Sequence, residues 1–187
     1  ALAAYLAGVA PDTALAVDAG CGTGQLTVQL AGHFDRVVGV DASADQIEHA
    51  AQAANVVFHR APAESMPVAD RSASLVTAAQ AAHWFDLPAF YAEVRRIGRP
   101  GAVVALISYG VPELDPAVDA GFRRFYRDGI GPYWPAERRM VDRGYADIAF
   151  PFAPLVPPAL QIRKSWSLAD TLGYISTWSA VRRAADA

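Results

Sequence analysis

The sequence predicts an α/β fold, a doubly wound and mostly parallel sheet with a helical insertion after the fifth strand. Three observations predict it. Short apolar runs alternate with amphipathic helical stretches through residues 14–109, the pattern of a parallel sheet covered on both faces. A glycine-rich turn, "DAGCGTGQ" (18–25), leaves the first of those runs and opens a helix. Residues 110–160 then break the rhythm, holding eight of the thirteen prolines and many aromatics.

The elements follow from local pattern. "ALAVDAG" (14–20) is an apolar run ending at glycine and reads as a buried strand. Leu26, Leu30 and Phe34 recur at helical spacing in the segment behind it. "RVVGVDAS" (36–43) is a second strand, and Ser43 with Gln46 forms a capping box for a helix over 44–54. Strands three and four are expected at 56–61 and 74–80. Leu87, Phe90, Val94 and Ile97 share one helical face, "GRPG" breaks that helix, and "AVVALISY" (102–109) is the fifth strand. The insertion carries Phe122, Phe125, Tyr126, Tyr133, Trp134, Phe150 and Phe152, too many aromatics for a disordered linker. "ALQIRKSW" (159–166) fits a sixth strand, and Ser167 with Asp170 caps one long helix bearing Leu168, Leu172, Ile175 and Trp178.

Bulk properties narrow the function. A chain of 187 residues with 53% apolar content is long enough for one substantial core. A formal charge of −3 gives no basic face for nucleic acid. No apolar run reaches membrane-spanning length, and the Ala-rich start lacks the basic flank of a signal peptide. Cys21 is the single cysteine, so no internal disulfide forms and a reducing cytoplasm is the expected compartment. Fifteen of the sixteen basic residues are arginine, which with the many alanines hints at a GC-rich bacterial genome.

The glycine turn asks for a ligand. A dinucleotide fingerprint is G-x-G-x-x-G, but Gly20, Gly22 and Gly24 are spaced G-x-G-x-G behind Asp18. The shifted third glycine suits a ligand with no pyrophosphate to hold at the helix start. Asp41 ends the second strand, where an acidic side chain accepts hydrogen bonds from both ribose hydroxyls. Together they describe a nucleoside site whose tail crosses a glycine turn. The bland alternatives are a ligand-free tight turn and a surface aspartate.

"DAGCGTGQL" and "VVGVDAS" resemble motifs of the class I S-adenosylmethionine-dependent methyltransferases. "APAESMP", "LVTAAQAAHWFD" and "VRRIGRPGAVVAL" resemble the small-molecule branch that includes trans-aconitate methyltransferase-like proteins, methyltransferase type 11. "FPF" and "LGYISTWSAVRR" extend the likeness. The resemblance implies a Rossmann-like single domain, 1–187, with a cofactor-binding core at 1–109 and a substrate-facing insertion at 110–160. Residues 161–187 would be a C-terminal part of the core. S-adenosylmethionine would be the cofactor. The backbone of Gly20, Gly22 and Gly24 would flank its methionine part, Asp18 would hold the turn and attract its amino group directly or through water, and Asp41 would bind its ribose. Ala63 and Glu64 would border the adenine, and Gln80 would lie beside the methionine end. Pro62 and Ser74 depart from the aspartates common at those places in the family.

The implied activity is methyl transfer by in-line displacement to a small-molecule nucleophile, with oxygen favoured. Two alternatives remain: a protein that binds the cofactor without turnover, and a nicotinamide-dependent oxidoreductase, against which the third glycine argues. His83 follows the fourth strand and is either a general base or a residue that holds its loop. Trp84 beside it is either a wall of the substrate pocket or core. Glu64 could equally be a solvated loop acid, and Cys21 reads as a packing residue. Arg123, Arg124, Arg127, Arg138 and Arg139 crowd the insertion as a carboxylate clamp or a solvated face. His33, His49, His59 and His83 lack metal-ligand spacing, so no metal is expected. The oligomeric state is left open.

Overall fold

A computed structural model describes residues 1–187. The chain forms two compact units, one of residues 1–109 and 147–156, the other of residues 110–146 and 157–187.

The first unit is built on five strands, β1 (Leu15–Ala19), β2 (Arg36–Asp41), β3 (Val56–Arg60), β4 (Ala73–Ala79) and β5 (Gly98–Ile107). All pairings are parallel, in the order β3-β2-β1-β4-β5. β1 is central and every residue in it is buried, which is why it reads as an unbroken apolar run around Asp18. Helix α1 (Leu2–Val9) was not expected from the sequence. It packs Ala3 and Leu6 against Leu26 and Leu30 of α2 (Gln25–Leu30), with Phe34, Val37 and Leu75 in the same core. Helix α4 (Leu87–Ile97) buries Phe90, Val94 and Ile97, and Asp86 caps its N-terminus by accepting the Ala89 N–H.

Two expected boundaries move in this unit. The helix foreseen over 44–54 is only α3 (Ala44–Glu48), which buries no residue of its own. The chain leaves it so that the Ala51 N–H can donate to the Thr23 carbonyl at 3.0 Å, tying the segment to the glycine turn. β5 begins at Gly98 directly after α4 rather than at 102. A register shift between Ala73 and Leu75 on β4, with Gly101 at φ +79°, absorbs "GRPG" as an irregularity inside the strand.

The second unit has α5 (Pro116–Arg124), a π turn at Phe125–Gly129, a 3-10 turn at Gly131–Tyr133, α6 (Arg138–Asp142), α7 (Leu168–Ser176) and α8 (Ser179–Ala185). Its core is aromatic: Trp178 lies 5.5–6.1 Å by ring centroid from Phe122, Tyr126, Trp134 and Tyr174. The expected single C-terminal helix is broken between Ser176 and Ser179, where Trp178 turns inward with extended backbone. Leu168 and Leu172 consequently remain exposed. The capping box of Ser167 and Asp170 forms in both directions. Residues 159–166 are not a strand. Leu160, Ile162 and Trp166 alternate as a strand would, but no neighbouring backbone pairs with them. Residues 157–187 group with 110–146, where the sequence suggested a return to the sheet.

No helix is long and apolar enough to cross a membrane.

Candidate functional site

In the sheet order, the chain adds β2 and β3 on one side of β1 and then crosses to add β4 and β5 on the other, so the crevice at the carboxyl ends of β1 and β4 is the place where open α/β sheets bind ligands. The glycine turn after β1, Asp41 at the end of β2, and Gln80 with Ala82–Trp84 after β4 all lie along that edge.

The turn is held by its neighbour strand. The N–H groups of Gly20 and Cys21 donate to the Val40 carbonyl at 2.7 and 3.0 Å, and the Gly22 N–H donates to Asp41 Oδ2 at 2.9 Å. The other carboxylate oxygen of Asp41 accepts the Ser43 N–H at 2.8 Å. The Ser43 capping box is therefore half-made: its hydroxyl accepts the Gln46 N–H, while Asp41 takes the amide that Gln46 was expected to satisfy. Each Asp41 oxygen keeps acceptor capacity, because a carboxylate offers about four lone-pair sites.

Gly20, Gly22 and Gly24 all have left-handed backbone, at φ +65°, +55° and +82°. The reasons for glycine differ. A Cβ on Gly20 would collide with the Ala81 Cβ and approach the Phe85 ring at 3.1 Å, so close packing inside the fold demands glycine there. A Cβ on Gly22 would meet only the Gln46 side chain, at 3.4 Å. A side chain at Gly22 would therefore touch Gln46 at ordinary contact distance, without a clash.

Asp18 is 1% exposed, so its carboxylate does not look out to solvent. Instead it accepts hydrogen bonds from the Thr27 hydroxyl at 2.7 Å and the Thr77 hydroxyl at 2.7 Å, pinning β1 to α2 and β4. Burial pushes its pKa up to about 6, against the pull of those two hydroxyls. Neither threonine was singled out from the sequence, since a buried threonine shows its purpose only when its cross-strand partner is known. Burial and the nearby Asp18 and Asp41 raise the Cys21 thiol to about 12, so it is no ready nucleophile.

The remaining candidates divide. Ala63 is buried. Glu64 accepts the Asp86 N–H at 2.9 Å and thus steadies the entry to α4. Gln80 sits at φ +53°, a strained conformation for a non-glycine residue, with its N–H on the Ile107 carbonyl and its amide on the Tyr109 carbonyl at 2.7 Å. His83 and Trp84 stand in the 3-10 turn with rings 4.8 Å apart, and Trp84 is 60% exposed, which excludes the core reading for its indole. No cluster of three or more His, Cys, Asp or Glu side chains is arranged to hold a metal ion.

Residues 17–106 match the model of the methyltransferase domain family. A solved structure from Anaeromyxobacter dehalogenans, proposed to be a type II methyltransferase, is 44% identical with a TM-score of 0.92, covering 98% of this chain and 78% of that one. A Dictyostelium discoideum protein proposed to be a methyltransferase is 39% identical over 88% of this chain and 64% of its own length. A malonyl-[acyl-carrier protein] O-methyltransferase of Hahella chejuensis is 39% identical over 56% of this chain and 42% of its own length. The chain thus spans less than two thirds of the length of these curated relatives. Strand order, glycine turn and extended likeness agree, and the chain belongs to the class I S-adenosylmethionine-dependent methyltransferase family.

Proposed function

We propose that the chain binds S-adenosylmethionine across the turn at residues 20–24 and methylates an oxygen of a small molecule. One observation carries the reading: the left-handed Gly22, whose Cβ position meets only the Gln46 side chain, lies beside a carboxylate, Asp41, that is bonded to the same glycine and still has acceptor capacity. When bound, the cofactor supplies a methyl group already made electrophilic by its sulfonium. This chain's residues have the simpler task of holding and orienting. Asp41 accepts from the ribose hydroxyls, the Gly22 backbone admits the chain of the methionine, and the tethered Gln80 borders its end. Trp84 offers an exposed apolar wall at the same edge and helps exclude water. A fixed approach of the acceptor to the methyl group contributes up to about 7–11 kcal/mol of barrier reduction in favourable cases.

His83 takes the proton when the acceptor is a hydroxyl; a carboxylate acceptor needs no base. The O-methyltransferase relative favours an oxygen acceptor. Transfer of labelled methyl from S-adenosylmethionine to a panel of hydroxy and carboxylic acids tests the proposal. Label appearing in product supports it. Tight S-adenosylhomocysteine binding without transfer to any acceptor would leave a cofactor-binding protein instead.

A further inference from the structure

The second unit contains a cleft of about 720 Å³ lined by Arg123, Arg127, Trp134, Arg138, Arg139 and Asp142, with apolar wall added by Val111, Pro132 and Pro135. That volume falls within the roughly 300–1,000 Å³ range of small-molecule sites. Four arginines face a single acid in the lining, although the whole chain carries a charge of −3. Three of these arginines are paired with Asp119, Asp128 and Asp142, so the cluster keeps an excess of one positive charge, which favours an anion.

The arginines are set, not merely present. Arg138 lies 4.5 Å over the Trp134 ring, and its Nε donates to Asp142 Oδ1 at 2.9 Å and to the Tyr126 hydroxyl at 3.0 Å. Tyr126 in turn donates to the same Asp142 oxygen at 2.9 Å. Arg123 is bound through its Nε to Asp119, and Arg127 through Nε and Nη2 to Asp128. In Arg123 and Arg138 these bonds use the Nε edge and leave the terminal Nη groups for another acceptor. Arg139 makes no ion pair. A guanidinium held by stacking and by its Nε gives up little freedom when it takes a carboxylate.

We propose that this cleft is a binding site for a small organic acid with a compact apolar body, its carboxylate taken by the lining arginines and its body by Trp134 and the prolines. The site is contained within residues 110–146 and does not depend on the cofactor reading.

Calorimetric titration of the full chain, without cofactor and at low salt, tests it with three probes: benzoate, benzyl alcohol and inorganic phosphate. Benzoate should saturate one site, with benzyl alcohol and phosphate each about tenfold weaker, the worth of one charge-assisted contact or of the buried ring. The Arg127→Gln/Arg139→Gln variant removes charge from two exposed positions. It should keep the wild-type melting temperature and weaken benzoate about tenfold. Absence of saturable benzoate binding would overturn the site. So would phosphate binding as tightly as benzoate, or an unaltered benzoate affinity in the folded double variant.

Discussion

The Asp41 carboxylate and the Gly22 amide, nineteen residues apart, are joined by a 2.9 Å hydrogen bond that ties the end of β2 to the turn after β1. The same carboxylate receives the Ser43 amide. Asp41 thus shapes the site as well as facing its ligand. Asp41→Ala should lower S-adenosylhomocysteine affinity about a hundredfold, as two charge-assisted hydrogen bonds to the ribose disappear. It should also cost about 1–3 kcal/mol of stability, because two backbone donors lose their acceptor. Sequence reasoning expects only the first effect. Asp41→Asn, retaining one carbonyl acceptor, should fall between. Calorimetry and denaturant unfolding read the two effects separately.

The two glycines ask for opposite outcomes. Gly20→Ala forces a Cβ into Ala81, so it should destabilise by about 2–4 kcal/mol through overpacking and left-handed strain. Gly22→Ala has room and should cost about 1–2 kcal/mol, the strain alone. Its larger effect should be on cofactor affinity, because the methyl group occupies the cradle. Equal loss of stability in both variants, with affinity intact in Gly22→Ala, would place the ligand elsewhere.

Asp18 should give the fold a measurable pH dependence. Its folded pKa of about 6 lies above the ordinary 3.8. Protonation is therefore favoured in the folded state, and the stability gained from it is full below the unfolded value and lost as pH rises through about 6. Asp18→Asn keeps a polar group for Thr27 and Thr77 but never ionises. The variant's stability advantage over the wild type should widen by about 2 kcal/mol between about pH 4.5 and about pH 7.5. Urea unfolding across that window checks it, and a constant difference would contradict the raised pKa.

Arg96 ties the end of α4 to the loop that enters β4. It grips Glu93 through Nε at 2.7 Å and Nη2 at 2.6 Å and also donates to the Met66 and Val68 carbonyls. Glu93 is almost fully buried and takes the Met66 N–H as well. Arg96→Met should cost about 3–5 kcal/mol by stranding that carboxylate. Arg96→Met/Glu93→Met should recover part of the loss, since the stranded charge goes with its partner. Chemical denaturation of the two variants decides it.

His83→Ala separates acceptor classes. With a hydroxyl acceptor the rate should fall about 10²- to 10⁴-fold and lose its acidic limb. A carboxylate acceptor should leave the rate and its pH profile unaltered, and His83 would then hold the loop.

Much of this was legible in the chain itself, and the misses share a physical cause. β1 and β4 are buried on both faces, so their apolar runs are unambiguous. The turn at 20–24 and Asp41 stand out because left-handed backbone and a strand-end carboxylate leave marks in residue type. What stayed hidden depends on partners distant in sequence. Thr27 and Thr77 matter only because Asp18 lies between them. The capping box at Ser43 looked complete because nothing local shows that Asp41 would claim half of it. Residues 159–166 have strand alternation without a strand beside them, and the helix at 168–185 breaks because Trp178 is drawn into aromatics more than forty residues earlier.

A crystal structure with S-adenosylhomocysteine tests the central claim most directly. The expected result is the ligand lying over Gly22 with both ribose hydroxyls within hydrogen-bond distance of the Asp41 carboxylate. A ribose directed away from Asp41, or a ligand bound with the space over Gly22 vacant, would contradict it.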